Sequence, residues 1–285
     1  MADLETRLDA ATDAFAAEGM PLASAAMLDF CGDVLQMTFA EADPGKVLAG
    51  IDRFFAPCDA LVSTDEIRVP HLFVSDMDST MIGQECIDEL ADYAGIKDQI
   101  AQITERAMQG ELDFESALRE RVGLLAGLEE SAIGQCLDER IVATPGARTL
   151  VATLAAHGAR SVLVTGGFHH FADVVAQDLG FDRVVGNRLD VANGRLTGAL
   201  AGPVSDASTK KAALIEELAG LGEGAVSMAA GDGANDVPMI EAATYGFAYR
   251  AKPKAREAAN GRVDRGDLTA ILSLLGIPRE DWAAG

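Results

Sequence analysis

The chain has 285 residues, of which 49% are apolar, 24% charged and 5% aromatic, a balance that suits a folded core with an appendage and argues against disorder. Asp and Glu number 45 against 23 Lys and Arg, a formal charge of −22. That field repels phosphate backbones and anionic lipid surfaces, so no nucleic-acid or membrane partner is expected, and a phosphate ester would need a locally positive pocket.

Residues 1–30 lack a basic segment followed by an apolar one and do not read as a secretory signal. Within them, Leu4, Leu8, Ala11 and Phe15 recur at helical spacing over residues 3–18, and Gly19 closes that helix. An alternating stretch at 33–40, a helix that opens at Asp43-Pro44 and runs to Phe55, and an apolar run at 60–63 complete a small unit. It holds no cluster of reactive side chains. After Val69-Pro70, HLFVSD reads as a buried strand that stops at acidic residues. Residues 84–140 are helical in pattern, with breaks at Gly95, Gly110 and Gly127.

From Pro145 the pattern runs helix, strand SVLVT (161–165), helix, hairpin around Asn193-Gly194, helix 209–220, strand AVSMAA (225–230), helix 235–243 and strand YGFAY (245–249). The alternation predicts an α/β fold with a Rossmann-like parallel sheet covered on both faces. Its core would comprise residues 67–83 and 141–285, with 84–140 inserted as a helical cap and 1–66 as a small N-terminal α/β domain. Periodicity does not fix the strand order. Cys31, Cys58, Cys86 and Cys136 follow no metal-ligand or C-x-x-C spacing, and no run approaches the ~18 apolar residues of a membrane span. A cytoplasmic protein is expected.

In an open parallel sheet, ligands bind beyond the carboxyl ends of the strands. Those positions carry D-M-D-S-T (76–80), T-G-G-F (165–168) and G-D-G-A-N-D (231–236), while Lys210 opens the helix before the third strand. Asp76 and Asp78, two residues apart, would leave one face of an extended strand end, and Asp232 and Asp236 arrive beside them. So many carboxylates require a hard cation with oxygen ligands, and Mg2+ suits a few carboxylates plus phosphate oxygens. Lys210, the Thr165 hydroxyl and the amides of Gly166 and Gly167 at a helix start supply the opposite sign. Singly, these motifs read as a turn or cap, a tight turn and a solvated lysine, and G-D-G-A-N-D lacks the later Glu of a calcium loop. Together, in one chain order, they describe a phosphoryl-transfer site.

The combination resembles the haloacid dehalogenase superfamily of aspartate-nucleophile phosphatases, with motifs D-x-D-x-T, Ser/Thr, Lys and G-D-x-x-x-D. The segments at 76–89, 106–122 and 231–240 further resemble its phosphoserine phosphatase family. That resemblance implies a magnesium-dependent enzyme that hydrolyses phosphoserine, the last step of serine biosynthesis. Asp76 would become an aspartyl phosphate, and Asp78, its pKa raised by crowding carboxylates, would be the acid and then the base. Asp76, the carbonyl of Asp78 and Asp232 would hold the metal, with Asp236 in support. Thr165, Gly166, Lys210 and Asn235 would hold phosphate. Glu85 would meet the substrate ammonium, Arg121 its carboxylate, and Met108 and Phe114 would form an apolar wall under the closed cap.

Thr165 stands where this family usually has Ser, and the His169-His170 pair is unusual; an exposed pair at a helix start is expected. The first 65 residues are comparable only to the small ACT-like regulatory domains of some relatives. A homodimer is left open, as are a relative acting on phosphohomoserine, phosphoethanolamine or a sugar phosphate, and a non-catalytic phosphoreceiver module.

Overall fold

The computed structural model describes residues 2–31, 34–108 and 111–284, without the side chains of Ala2 and Met108. The N-terminal unit is a helix, a hairpin and a second helix: α1 (Ala2–Ala17), β1 (Leu22–Leu28), β2 (Val34–Phe39) and α2 (Pro44–Phe55). Helix α2 starts where the sequence predicts, because the Asp43 carboxylate accepts from Lys46 N at 2.9 Å and Pro44 fits the first turn. Its Val47 and Ile51 pack with Ala11, Phe15 and Met20 in a core of the unit's own. The next strand, β3 (Ala60–Leu61), belongs to residues 1–66 but pairs with the large sheet.

After β4 (Leu72–Ser75) come the four inserted helices, α3 (Cys86–Tyr93), α4 (Lys97–Met108), α5 (Phe114–Gly123) and α6 (Ser131–Arg140). The chain then alternates through α7 (Ala147–Ala156), β5 (Arg160–Phe168), α8 (His169–Leu179) and β6 (Arg183–Asn187). A hairpin follows, β7 (Leu189–Ala192) and β8 (Arg195–Leu200), then α9 (Ala207–Leu221), β9 (Ser227–Gly231), α10 (Val237–Ala242) and β10 (Tyr245–Tyr249). The remainder is α11 (Pro253–Ala258), β11 (Gly261–Val263) and α12 (Ala270–Leu274). No helix among the described residues is long and apolar enough to cross a membrane.

The sheet order is β3-β11-β10-β9-β4-β5-β6, parallel except for β3. Every residue of β4, β9 and β10 is buried, as expected of strands covered by helices on both faces. The position of β4 between β5 and β9 decides where the chemistry sits. Ser75 pairs with Leu163 on one side and Ala230 on the other, so the three motif-bearing strand ends are neighbours.

Asn193 and Gly194, at φ 55° and 74°, turn the β7-β8 hairpin through the left-handed region that tight hairpins favour. The hairpin braces the segment between α5 and α6: Gly127 N donates to Leu196 O at 2.8 Å and Glu130 N to Gly194 O at 2.9 Å. Gly95 and Gly127 break the helices as expected, whereas Gly110 lies outside the described residues.

Candidate active site

At the end of β4 the backbone does not continue extended through both aspartates. Met77–Met81 forms one π-type turn, with Ser79 held at φ 54°, a conformation uncommon outside glycine and a frequent companion of functional sites. The turn sends the carboxylates to different partners rather than off one strand face. Asp76 accepts from Met77 N at 2.8 Å, while Asp78 accepts from Cys86 N at 3.1 Å, at the start of α3. Asp78 still reaches the site, since a Cβ added at Gly167 would lie 2.9 Å from its Oδ2. Its carboxyl is pushed above the ordinary range. Burial, rather than carboxylate crowding, is the main cause, and the Asp232 charge adds less than the Cys86 hydrogen bonds remove.

Lys210 does more than open a helix. Its side chain is only 1% exposed, and Nζ lies 2.6 Å from both Asp76 Oδ1 and Asp236 Oδ1. Burial opposes its charge, but the two carboxylates outweigh burial and hold the ammonium protonated well above its usual range. Asp236 Oδ2 accepts from the backbone N–H of Asp232 and Gly233, at 3.2 and 2.9 Å. Both oxygens of Asp236 are therefore engaged, which suits support rather than ligation. Gly231 leaves room for this arrangement, because a Cβ there would fall 2.5 Å from Asp236 Cγ.

T-G-G-F leads directly into a helix, with Phe168 the N-cap of α8, but its glycines still lie in strand. Strand β5 runs on through it, with an irregularity between Val164 and Phe168, because Phe168 pairs with Asn187 of β6; α8 begins only at His169. One of the expected phosphate amides is already engaged: Gly167 N donates to Thr165 Oγ1 at 2.8 Å. Thr165 is fully buried. The segment is clamped by two residues that sequence reasoning missed. Asn187 Nδ2 donates to Gly166 O at 2.8 Å, and Ser205 Oγ to Thr165 O at 3.2 Å. Ser205 N in turn donates to Asn187 Oδ1 at 2.8 Å. Asn235 is half-buried beside Asp236. His169 and His170 do start α8 but are half-buried, contrary to expectation: His169 Nδ1 lies 2.8 Å from Asp173 Oδ1, and His170 Nδ1 is buried with no hydrogen-bond partner among the described residues.

From the cap, Glu85 Oε1 accepts from Ser79 Oγ at 2.8 Å. Burial, then the Asp78 charge, pushes its carboxyl up to about 7. Arg121 is half-buried, donates to Ala117 O at 3.3 Å, and has Asp88 and Glu85 as its electrostatic neighbours. Among the described residues no carboxylate pairs with it directly. Phe114 reaches the core, with Cζ 3.4 Å from a Cβ added at Gly166, yet remains 42% exposed. The side chain of Met108 lies outside the described residues.

Buried Asp76, Asp232 and Asp236 each bring a carboxylate oxygen to within 4.8 Å of the others. With Asp236 committed to Lys210 and the backbone, Asp76 and Asp232 are the hard, anionic oxygen donors that suit a small divalent cation. One further charge at this edge carried no signal in the sequence: Lys252 Nζ lies 3.0 Å from Asp232 Oδ2.

A family model described as haloacid dehalogenase-like hydrolase matches residues 73–241. A phosphoserine phosphatase of Archaeoglobus fulgidus is 44% identical over 216 residues, covering 75% of this chain and 62% of that protein. One from Albidiferax ferrireducens is 44% identical over 209 residues, covering 71% of this chain and 88% of its own length. The chain thus spans under two thirds of one relative and most of the other. A solved structure described as a phospho-aspartyl intermediate analogue of phosphoserine phosphatase superposes with a TM-score of 0.64 at 36% identity, covering 72% of this chain and 98% of that one.

Proposed function

This chain belongs to the haloacid dehalogenase-like hydrolases, and on that premise we propose that it hydrolyses O-phosphoserine to serine and phosphate in the cytoplasm through an aspartyl phosphate on Asp76. The observation that carries the reading is the buried ammonium of Lys210, 2.6 Å from both Asp76 and Asp236. It holds Asp76 at the junction of three strand ends and supplies the positive charge that a phosphate needs within a chain of net charge −22. Asp76, Asp232 and the Asp78 carbonyl would hold Mg2+, which when bound would polarise the phosphoryl oxygens.

Asp76 attacks phosphorus as its bond to the serine oxygen breaks, and protonated Asp78 delivers its proton to that oxygen. Asp78, now ionised, takes a proton from water as the water attacks the aspartyl phosphate, which frees Asp76 and phosphate. Thr165, Gly166, Lys210 and Asn235 hold the phosphoryl group. Glu85 receives the ammonium of the substrate and Arg121 its carboxylate. Phe114 shields the reacting atoms from bulk water.

The test compares phosphoserine with p-nitrophenyl phosphate, which has neither an ammonium nor a carboxylate. Arg121→Ala should raise KM for phosphoserine by at least about tenfold, the scale of a lost charge-assisted fork, and leave p-nitrophenyl phosphate nearly unchanged. Equal changes would remove the substrate assignment, and turnover by Asp76→Asn would remove the mechanism.

A further inference from the structure

Lys252 is the N-cap residue of α11, outside every motif of the site, and its ammonium is aimed at a carboxylate of the acidic trio. Two contacts fix it there. Its backbone N–H donates to Asp232 O at 2.8 Å, and Nζ lies 3.0 Å from Asp232 Oδ2. The residue therefore grips Asp232 at both main chain and side chain, although 66% of the Lys252 side chain is exposed. Glu85, the residue assigned to the substrate ammonium, also feels the Lys252 charge.

We propose that Lys252 is a positioning residue that sets the affinity of the site for its divalent cation, by acting as a tethered counter-ion to Asp232. The inference rests on the proposed metal role of Asp76 and Asp232. The carboxylate that would bind a cation already has a partner of the same sign on the same chain, so the two positive charges draw on one group. Interior Lys210 also meets a proposed ligand, Asp76, but with a side chain only 1% exposed it has no solvent into which to withdraw. Lys252 is free to yield: its side chain is mostly exposed to solvent, and its main-chain bond to Asp232 does not depend on where the ammonium points. Binding of the cation then costs one ion pair, which keeps affinity moderate.

The experiment is calorimetric titration of chelator-treated protein with magnesium chloride, for wild type, Lys252→Gln, Lys252→Arg and Lys254→Gln. Lys254 is an exposed neighbour, and its variant makes the same change in net charge without touching Asp232. Lys252→Gln should bind Mg2+ about two- to fivefold more tightly than wild type, the range expected when an exposed ion pair no longer competes. Lys252→Arg should restore most of the wild-type value, and Lys254→Gln should match wild type. Unchanged or weaker binding by Lys252→Gln, with wild type binding normally, would overturn the role of Lys252 and leave the metal reading standing. Equal tightening in both glutamine variants would also overturn it, in favour of general surface charge. Absence of binding by the wild type would overturn the metal reading itself, and this inference with it.

Discussion

Glu85 carries a prediction that separates stability from function. Its carboxyl, pushed up to about 7 mainly by burial, binds more protons in the native than in the unfolded chain between the ordinary glutamate value and that pH. Native stability therefore falls as pH rises through this window. Glu85→Gln removes the penalty, so its melting temperature should gain on wild type between about pH 5 and pH 8. Activity should move the other way. Only ionised Glu85 attracts an ammonium, so the wild-type ratio of kcat/KM for phosphoserine to that for p-nitrophenyl phosphate should fall on acidification below about pH 7, and in Glu85→Gln it should be low and flat. A wild-type ratio independent of pH would detach Glu85 from the substrate. The residues readable from sequence are those whose neighbours in the chain form a motif: Asp76, Asp78, Asp232 and Asp236 follow apolar strands, and the motifs mark them by occurring together in one chain order. Asn187, Ser205 and Lys252 were not readable, because each acts on a motif residue 20 or more positions away through a hydrogen bond or ion pair that only the folded sheet creates.

At the scale of elements, α9 delivers Lys210, and its first turn is built by Asp206. The Asp206 carboxylate accepts from Ser208 N at 2.9 Å and Thr209 N at 3.0 Å, and the Thr209 hydroxyl closes the reciprocal capping box. Lys210 is the next residue. Asp206→Ala should cost about 1 kcal/mol of stability, with Asp206→Asn losing less because it keeps an acceptor. The Ser208 and Thr209 hydrogen bonds hold the Asp206 carboxyl below its ordinary value, so its contribution is present above the unfolded value and lost as pH falls through the folded one. The deficit of the alanine variant, measured by denaturant unfolding, should accordingly shrink below about pH 4. A deficit that grew with acid would contradict the cap. Strong local signals made such elements legible: Asp43-Pro44 for α2, Asn193-Gly194 for the hairpin, and the unbroken apolar runs of β9 and β10. Strand β1, LASAAML, gave no signal, because its exposed alanines neither alternate in polarity nor carry β-branched side chains. The glycine pair of T-G-G-F suggests a turn by local preference, and pairing of Phe168 with Asn187 across the sheet overrides it.

For the whole molecule, the sheet order is the feature that periodicity leaves undetermined, since it depends on crossovers between distant segments. That order places β11 and β3 at one edge, where the N-terminal unit is attached. The attachment is electrostatic as much as apolar. Asp52 of α2 forks onto Arg256 of α11 at 2.7 and 3.1 Å and also meets Arg262 of β11 at 2.6 Å. Asp59 accepts from the backbone N–H of Asp264, Arg265 and Gly266. The side chain of Arg262 is only 9% exposed, and among the described residues Asp52 is its one carboxylate. Removing that carboxylate strands a nearly buried guanidinium, whereas Arg256 keeps Asp264 at 2.9 Å. The cost should lie between that of an exposed pair and that of a fully buried one, because Asp52 itself is 35% exposed. Asp52→Ala should therefore lower the free energy of unfolding by ~2 kcal/mol and speed proteolytic cleavage in the connection between α2 and β4. The double variant Asp52→Ala with Arg262→Met, which removes the stranded charge as well, should recover part of the loss. If the single variant melts and resists protease like wild type, the N-terminal unit is held by its apolar contacts and by Asp59 alone.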